Sequence, residues 1–326
     1  MPKPIRVAVV GVGYLGRIHA KIYANMDNVE LVAVVDADPS VAAGIAAKHN
    51  CRALTRTCGL ESQIDAVSIA VPTSLHLAVA RSFLEAGVPT LLEKPVAPSV
   101  AESAEIVELA KDNGALLQIG HLERFNAGVM KLAELAGSPR FIEVHRLGEF
   151  VERATDVDVV TDLMIHDIDI VLSLINSELT HISATGTRVI TDHVDIANTR
   201  LEFDNGAVAN VTASRVSRSQ FRRIRVFSHD LYLGLNFSDQ QLEQVKPGKI
   251  KSGGKFPELV HRNIEVTPQR PLNAELAHFI DCVAHNKQPL VSGDDGLLAV
   301  KVAQRVREKI AGSDFSRKPR RGAYQG

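Results

Sequence analysis

The chain has 326 residues, 45% of them hydrophobic, and a formal net charge of −1. That length suggests about two domains, each with a real core. Near-neutral charge gives no electrostatic case for binding nucleic acid or a membrane surface, and no apolar run approaches the ~20 residues that span a bilayer. Cys51, Cys58 and Cys282 lack CxxC spacing and read as free thiols in a reducing compartment. Met1-Pro-Lys-Pro leads straight into a strand, so no signal peptide is expected and a cytoplasmic location follows as the default.

The first element is a buried strand, Ile5 to Val10. It runs into Gly11-Val12-Gly13-Tyr14-Leu15-Gly16, then a helix, then a second strand, Val29 to Val35, which ends in Asp36. This is the pattern of a dinucleotide-binding βαβ unit. Gly11 permits the tight turn, Gly13 removes a Cβ facing the pyrophosphate, and Gly16 allows close helix packing. The helix N-terminus offers N–H groups to the phosphates. Asp36 stands about 20 residues past Gly16, where a carboxylate accepts from ribose hydroxyls and favours NAD over NADP.

Pro39 and Ser40 open a helix to about His49, and Cys51 to Leu54 reads as a short strand. Asp65 to Val71 is a continuous apolar strand ended by Pro72, as expected for a sheet buried on both faces. Thr73 and Ser74 can cap a helix running to Ala86. Val88 to Leu92 is the next strand, with Glu93-Lys94-Pro95 at its carboxyl end. Ser99 caps a helix to about Asn113. Ala115 to Gly120 completes the alternating pattern, followed by His121-Leu-Glu-Arg124-Phe-Asn126.

The grammar changes from Pro139 onward. Strands are expected at Phe141 to Phe150, Thr180 to Ile190, Ile196 to Asp204, Ala207 to Val216 and Arg222 to Ser228, with a hairpin turn at Asp204-Asn205-Gly206. One helix, Asp162 to Asn176, interrupts them, and two more lie near Asn273–His285 and Asp294–Ala311. The fold class is therefore α/β, a doubly wound parallel Rossmann sheet, followed by an α+β domain with an open, mostly antiparallel sheet. The expected division is 1–122, 123–312 and a basic tail, 313–326.

Ligands of open α/β sheets bind outside the carboxyl ends of the strands. That rule gathers Gly11, Gly13, Tyr14, Leu15, Gly16, Asp36, Pro72, Thr73, His76, Glu93, Lys94 and His121 as the cofactor side. Lys94 could be a solvated loop residue. In a dry cleft its pKa would fall, and it could then exchange a proton. Asp162, His166, Asp169 and Ser173 follow helical spacing and form one stripe. Such a stripe either faces solvent on an amphipathic helix or lines a cleft. A metal site is not expected, because only one histidine sits on the stripe and no cysteine cluster accompanies it. No serine stands in a nucleophile elbow either.

These motifs together resemble the Gfo/Idh/MocA family of glucose–fructose oxidoreductases and inositol dehydrogenases. The resemblance runs from the glycine turn through Val71-Pro-Thr-Ser-Leu-His76, Glu93-Lys94-Pro95 and Asp162-xxx-His166-Asp-Ile-Asp169 to Pro271-Leu-Asn-Ala-Glu-Leu and Pro289-Leu-Val-Ser-Gly-Asp-Asp-Gly296. It implies NAD as cofactor, Lys94, Asp162 and His166 as the catalytic group, and a homodimer or homotetramer formed through the second sheet. Gly120 to Asn126 and Asp162 to Asp169 further resemble the bacterial UDP-N-acetylglucosamine 3-dehydrogenases, which act ahead of an aminotransferase in amino-sugar lipid A synthesis. Arg124, Asn126 and Asp169 are the substrate-side candidates. Arg124, Arg146 and Arg153 are candidate diphosphate donors, with surface arginine as the other reading of each. Other sugar or polyol dehydrogenases, a glycosidase that uses NAD transiently, and a non-catalytic NAD-binding regulator remain alternatives.

Overall fold

A computed structural model describes residues 3–151, 157–252 and 254–312. Arg153 and the basic tail from Ser313 lie outside the described residues. Six parallel strands form the first sheet: β1 (Ile5–Val10), β2 (Val29–Val35), β3 (Arg52–Leu54), β4 (Ala66–Ile69), β5 (Thr90–Glu93) and β6 (Leu117–Gly120). Their order is β3-β2-β1-β4-β5-β6, so the chain reverses direction across the sheet between β1 and β4. Both faces are covered, which is why β4, β5 and β6 are buried at every residue and show no alternation. Helices α1 (Gly16–Tyr23), α2 (Pro39–His49), α3 (His76–Glu85) and α4 (Val100–Asp112) supply the cover.

Local chemistry sets the helix ends. The Asp38 side chain accepts from the N–H groups of Ser40 and Val41, and Pro39 sits in the first turn of α2. Ser99 accepts from Glu102 N and so caps α4 as expected. The expected Thr73/Ser74 cap does not form. Thr73–Leu75 is a 3₁₀ turn, and α3 starts at His76 without a side-chain cap.

The second sheet has eight strands. They are β7 (Phe141–Leu147), β8 (Leu179–Thr187), β9 (Ile196–Phe203), β10 (Val208–Ser214), β11 (Phe221–Ser228), β12 (Leu231–Asn236), β13 (Gln241–Ile250) and β14 (Pro257–Ile264). The order is β14-β13-β12-β11-β7-β10-β9-β8. β7 and β10 run parallel, and the neighbouring pairs on either side are antiparallel. In β7, Ile142, Val144 and Arg146 are buried while the residues between them are half-buried. That alternation marks one face toward the core and one away from it.

Helix α5 (Ala127–Leu135), absent from the sequence reading, follows an Asn126 cap. The helix expected from Asp162 begins earlier. Asp158 accepts from Val160 N and Thr161 N, and a π-helical turn, Val160–Met164, leads into α6 (Ile165–Leu174). The chain end then returns to the first sheet. Leu276, Phe279 and Ile280 of α7 (Pro271–His285) join the core formed by Val7 and Val9. Ile119 N donates to Val291 O at 3.1 Å just before α8 (Gly293–Gly312), which seals the β6 edge.

Candidate active site

The glycine turn follows β1, beside the reversal in strand order. Gly11 has φ +81°, and a Cβ there would meet the Ala70 carbonyl oxygen at 2.7 Å. At Gly16 a Cβ would collide with the Gly11 carbonyl oxygen. At Gly13 it would meet nothing within 4 Å. Gly11 and Gly16 are thus required by the fold, whereas Gly13 leaves open space on the outer side of the turn. Asp36 braces the turn, since its carboxylate accepts from Val12 N at 2.9 Å and Asp38 N at 3.1 Å. A carboxylate has about four lone-pair sites, so capacity remains for ribose hydroxyls. Tyr14 is exposed, and Leu15 precedes α1 without a side-chain cap. An open cradle, an uncapped helix start and a carboxylate with spare acceptors fit a dinucleotide.

Pro72 and Thr73 lie in the turn after β4. Buried His76 ties that turn to the next strand end, its Nε2 3.1 Å from the Val71 carbonyl and its Nδ1 3.1 Å from those of Pro95 and Val96. Burial lowers its pKa, opposed by the carbonyls of Val96, Val71 and Pro95.

Lys94 projects from the end of β5. Its Nζ donates to the Asp162 main-chain carbonyl at 2.9 Å and lies 3.8 Å from Asp162 Oδ1. Burial pulls the Lys94 pKa down, opposed by the charges of Asp162 and Glu93. His166 is buried one turn further along. Burial, then Lys94, Arg146, His121 and Arg222, push its pKa well below the usual histidine value. His121 stands against it edge to face, ring centres 6.0 Å apart. Burial and Lys94 bring the His121 pKa to about 3. Both rings are therefore neutral at pH 7. His166 Nδ1 and both His121 nitrogens are buried without a hydrogen-bond partner among the described residues. Unsatisfied buried polar atoms are costly, and here they cluster beside a perturbed lysine, a pattern typical of functional sites.

Glu93 is buried, with Oε1 3.2 Å from His19 Nε2 and Oε2 accepting from Lys94 N at 3.3 Å. His19 Nδ1 is 2.8 Å from Ser68 Oγ. Glu275 of α7 comes close enough for its charge to act with that of Glu93, and its own carboxylate oxygens have no hydrogen-bond partner among the described residues. Burial first, then Glu93, raise its pKa well above the ordinary carboxylate value.

The substrate-side candidates separate into two kinds. Asn126 caps α5 through Gly128 N at 3.0 Å and donates to the Phe237 carbonyl at 3.2 Å, so it is engaged in packing the two sheets' connection. Arg124 lies 3.4 Å from Asp169, whose pKa burial raises to about 7. Arg146 is enclosed. Asp167 accepts from it at 2.8 and 2.7 Å, Glu123 accepts at 2.9 Å, and its guanidinium lies 5.2 Å from the Phe237 ring centre. The stripe read from spacing is thus divided: Asp162 meets Lys94 from the π turn, whereas Asp169 turns to Arg124. Asp167 and Glu275 stand inside motifs read from the sequence but are given no role there, and Arg222 is not singled out. The motifs around His166 and Pro271 mark Asp167 and Glu275; Arg222 carries no local signal.

A family model described as an oxidoreductase family with an NAD-binding Rossmann fold matches residues 5–121, and the model of its C-terminal domain matches 133–230. The chain belongs to the GFO/IDH/MocA oxidoreductase family. Like other members it is an oxidoreductase that uses NAD, and the open Gly13 cradle suits that cofactor. It is 36% identical over 307 residues to UDP-N-acetylglucosamine 3-dehydrogenase of Acidithiobacillus ferrooxidans, covering 94% of this chain and 97% of that protein. The solved structure of that enzyme superposes with a TM-score of 0.88 at 34% identity, covering 94% of this chain and 98% of the other. The scyllo-inositol 2-dehydrogenase (NAD(+)) of Bacillus subtilis is 28% identical over 339 residues, 93% of each protein. A scyllo-inositol dehydrogenase of Lactobacillus casei, solved with NAD(H) and scyllo-inositol, shares the fold at a TM-score of 0.79 and 19% identity, covering 96% and 98%.

Proposed function

We propose that this GFO/IDH/MocA member oxidises the 3-hydroxyl of UDP-N-acetylglucosamine to a ketone. The observation that carries the reading is the convergence of Lys94, Asp162 and His166, in a chain alike over nearly its whole length to a UDP-N-acetylglucosamine 3-dehydrogenase. Bound NAD supplies the hydride acceptor. Lys94 takes the hydroxyl proton, because burial brings its pKa toward the working range. The ammonium so formed is held by the Asp162 carbonyl and carboxylate. Neutral His166 offers a nitrogen to the hydroxyl and orients it, and His121 and Glu93 line the cofactor side. A C3 ketone is a substrate for an aminotransferase, the next step toward an amino-sugar of the lipid A type. Free cysteines and NAD use support a cytoplasmic setting. No helix among the described residues is long and apolar enough to cross a membrane. Homodimer or homotetramer formation would use the outer face of the second sheet, where Phe221 and, on edge strand β14, Leu259 stay exposed.

The test is NADH formation from UDP-N-acetylglucosamine and NAD, with an aminotransferase and glutamate removing the ketone. Free N-acetylglucosamine and myo-inositol are the comparison substrates. Turnover of the UDP-sugar alone is the expected result. Turnover of a free polyol alone would replace this reading with an inositol-type dehydrogenase, which the Bacillus subtilis relative favours.

A further inference from the structure

The inner face of the second sheet places two arginines directly opposite one another. Arg146 on β7 pairs in register with Arg222 on β11. Like charges in that position repel. Asp167 and Glu123 hold the Arg146 guanidinium through three hydrogen bonds, and their charges also act on Arg222 without bonding it. Arg222 has no ion pair or side-chain hydrogen bond among the described residues, and its Nε is buried without a partner. Burial and then Arg146 lower its pKa, opposed by the charges of Glu123 and Asp167. The same guanidinium helps keep His166 neutral, together with Lys94, Arg146 and His121. Arg222 stands opposite Arg146, which is bonded to Asp167, the chain neighbour of His166, and so lies beside the reactive cluster. The other arginine on that side, Arg124, is occupied by Asp169 and the Leu290 carbonyl.

We infer that Arg222 is the anion-reading residue of the substrate cleft, holding a phosphate oxygen of a nucleoside diphosphate sugar whose hydroxyl meets Lys94 and His166. A planar guanidinium can donate two parallel hydrogen bonds to a phosphate, and half-burial strengthens the attraction relative to a surface site. The phosphate would also screen the Arg146–Arg222 repulsion. The identity of the anion rests on the proposed function; the anion site itself rests on the arginine pair.

Calorimetric titration of UDP into NAD-saturated protein tests this inference apart from turnover. Arg222→Gln should weaken UDP about tenfold or more, with NAD affinity unchanged. Arg222→Lys should fall between, because it keeps the charge and loses the fork. Removing one of two opposed arginines should not lower Tm, whereas a merely structural Arg222 would show its loss there. Equal UDP affinity in parent and Arg222→Gln overturns the inference, as does a parent that binds neither UDP nor pyrophosphate. Should Arg222→Gln fail to fold, Arg222→Lys with parental UDP affinity overturns it as well. If UDP binding depends on Arg222 but UDP-N-acetylglucosamine is not oxidised, the anion site stands and the proposed reaction falls.

Discussion

Lys94 Nζ donates to the main-chain carbonyl of Asp162 at 2.9 Å, while that residue's own carboxylate oxygen stands 3.8 Å away. The lysine is thus held by a backbone group that cannot titrate, with the carboxylate in support. The carbonyl belongs to a π turn, where Ile165 N reaches back to Val160 O. Such turns occur often at functional sites.

Removing the Lys94 amine should therefore remove chemistry and leave cofactor binding intact. Lys94→Met is expected to lower kcat by about 10²- to 10⁴-fold, with NAD affinity unchanged by fluorescence titration. In the parent, the proton-accepting form of Lys94 is favoured as pH rises. Because burial lowers its pKa, kcat/KM should climb and level off below the 10.5 of an ordinary lysine. A limb well below pH 6.5 that disappears in His166→Asn would transfer the base role to the histidine.

The glycine turn separates fold from cofactor. A Cβ at Gly13 meets nothing, whereas one at Gly16 collides with the Gly11 carbonyl. Gly13→Ala should keep the parental Tm and weaken NAD about tenfold or more, since the new methyl stands where the pyrophosphate approaches. Gly16→Ala should lower Tm even without cofactor. Equal thermal stability of the two variants would contradict this division.

Arg146 and Asp167 form a buried pair. Arg146→Met leaves the Asp167 carboxylate enclosed without its partner, which costs about 3–5 kcal/mol in comparable cases. Urea denaturation should show a loss of that size. The double variant Arg146→Met/Asp167→Leu should recover part of it, because the Asp167 charge is gone while Glu123 still lacks its Arg146 partner. A single-variant loss below about 1 kcal/mol, the range of surface pairs, would show that the pair is solvated.

Glu275 carries its proton in the folded state to higher pH than in the unfolded chain. The folded state thus binds more protons above about pH 4.3, where the unfolded group ionises. Stability then falls as pH rises from there. Glu275→Gln removes the dependence. Its Tm advantage over the parent should be small at pH 5 and grow to on the order of a few degrees by pH 8. A constant difference across that range would mean that Glu275 ionises normally.

The turn, the strand ends and the helix carrying His166 were legible in the sequence because their signals are local. Gly11 and Gly16 answer to the backbone within a few residues, and strands buried on both faces must read as unbroken apolar runs. Helix α5 was not legible, since its Asn126 cap resembles a loop residue until the helix is seen. The start of α6 was misplaced because Asp158 caps the turn before it.

By itself, the sequence determined the dinucleotide cradle and the acid that braces it, from short-range sterics and periodicity; Lys94, Asp162 and His166 came together as a set only through the resemblance to the family. The tertiary structure alone decided which charges are answered. Strand register sets Arg222 against Arg146, and the return of α7 brings Glu275 toward Glu93. Those pairings join residues far apart in the chain, and whether a charge is neutralised depends on partners and burial that no local pattern encodes.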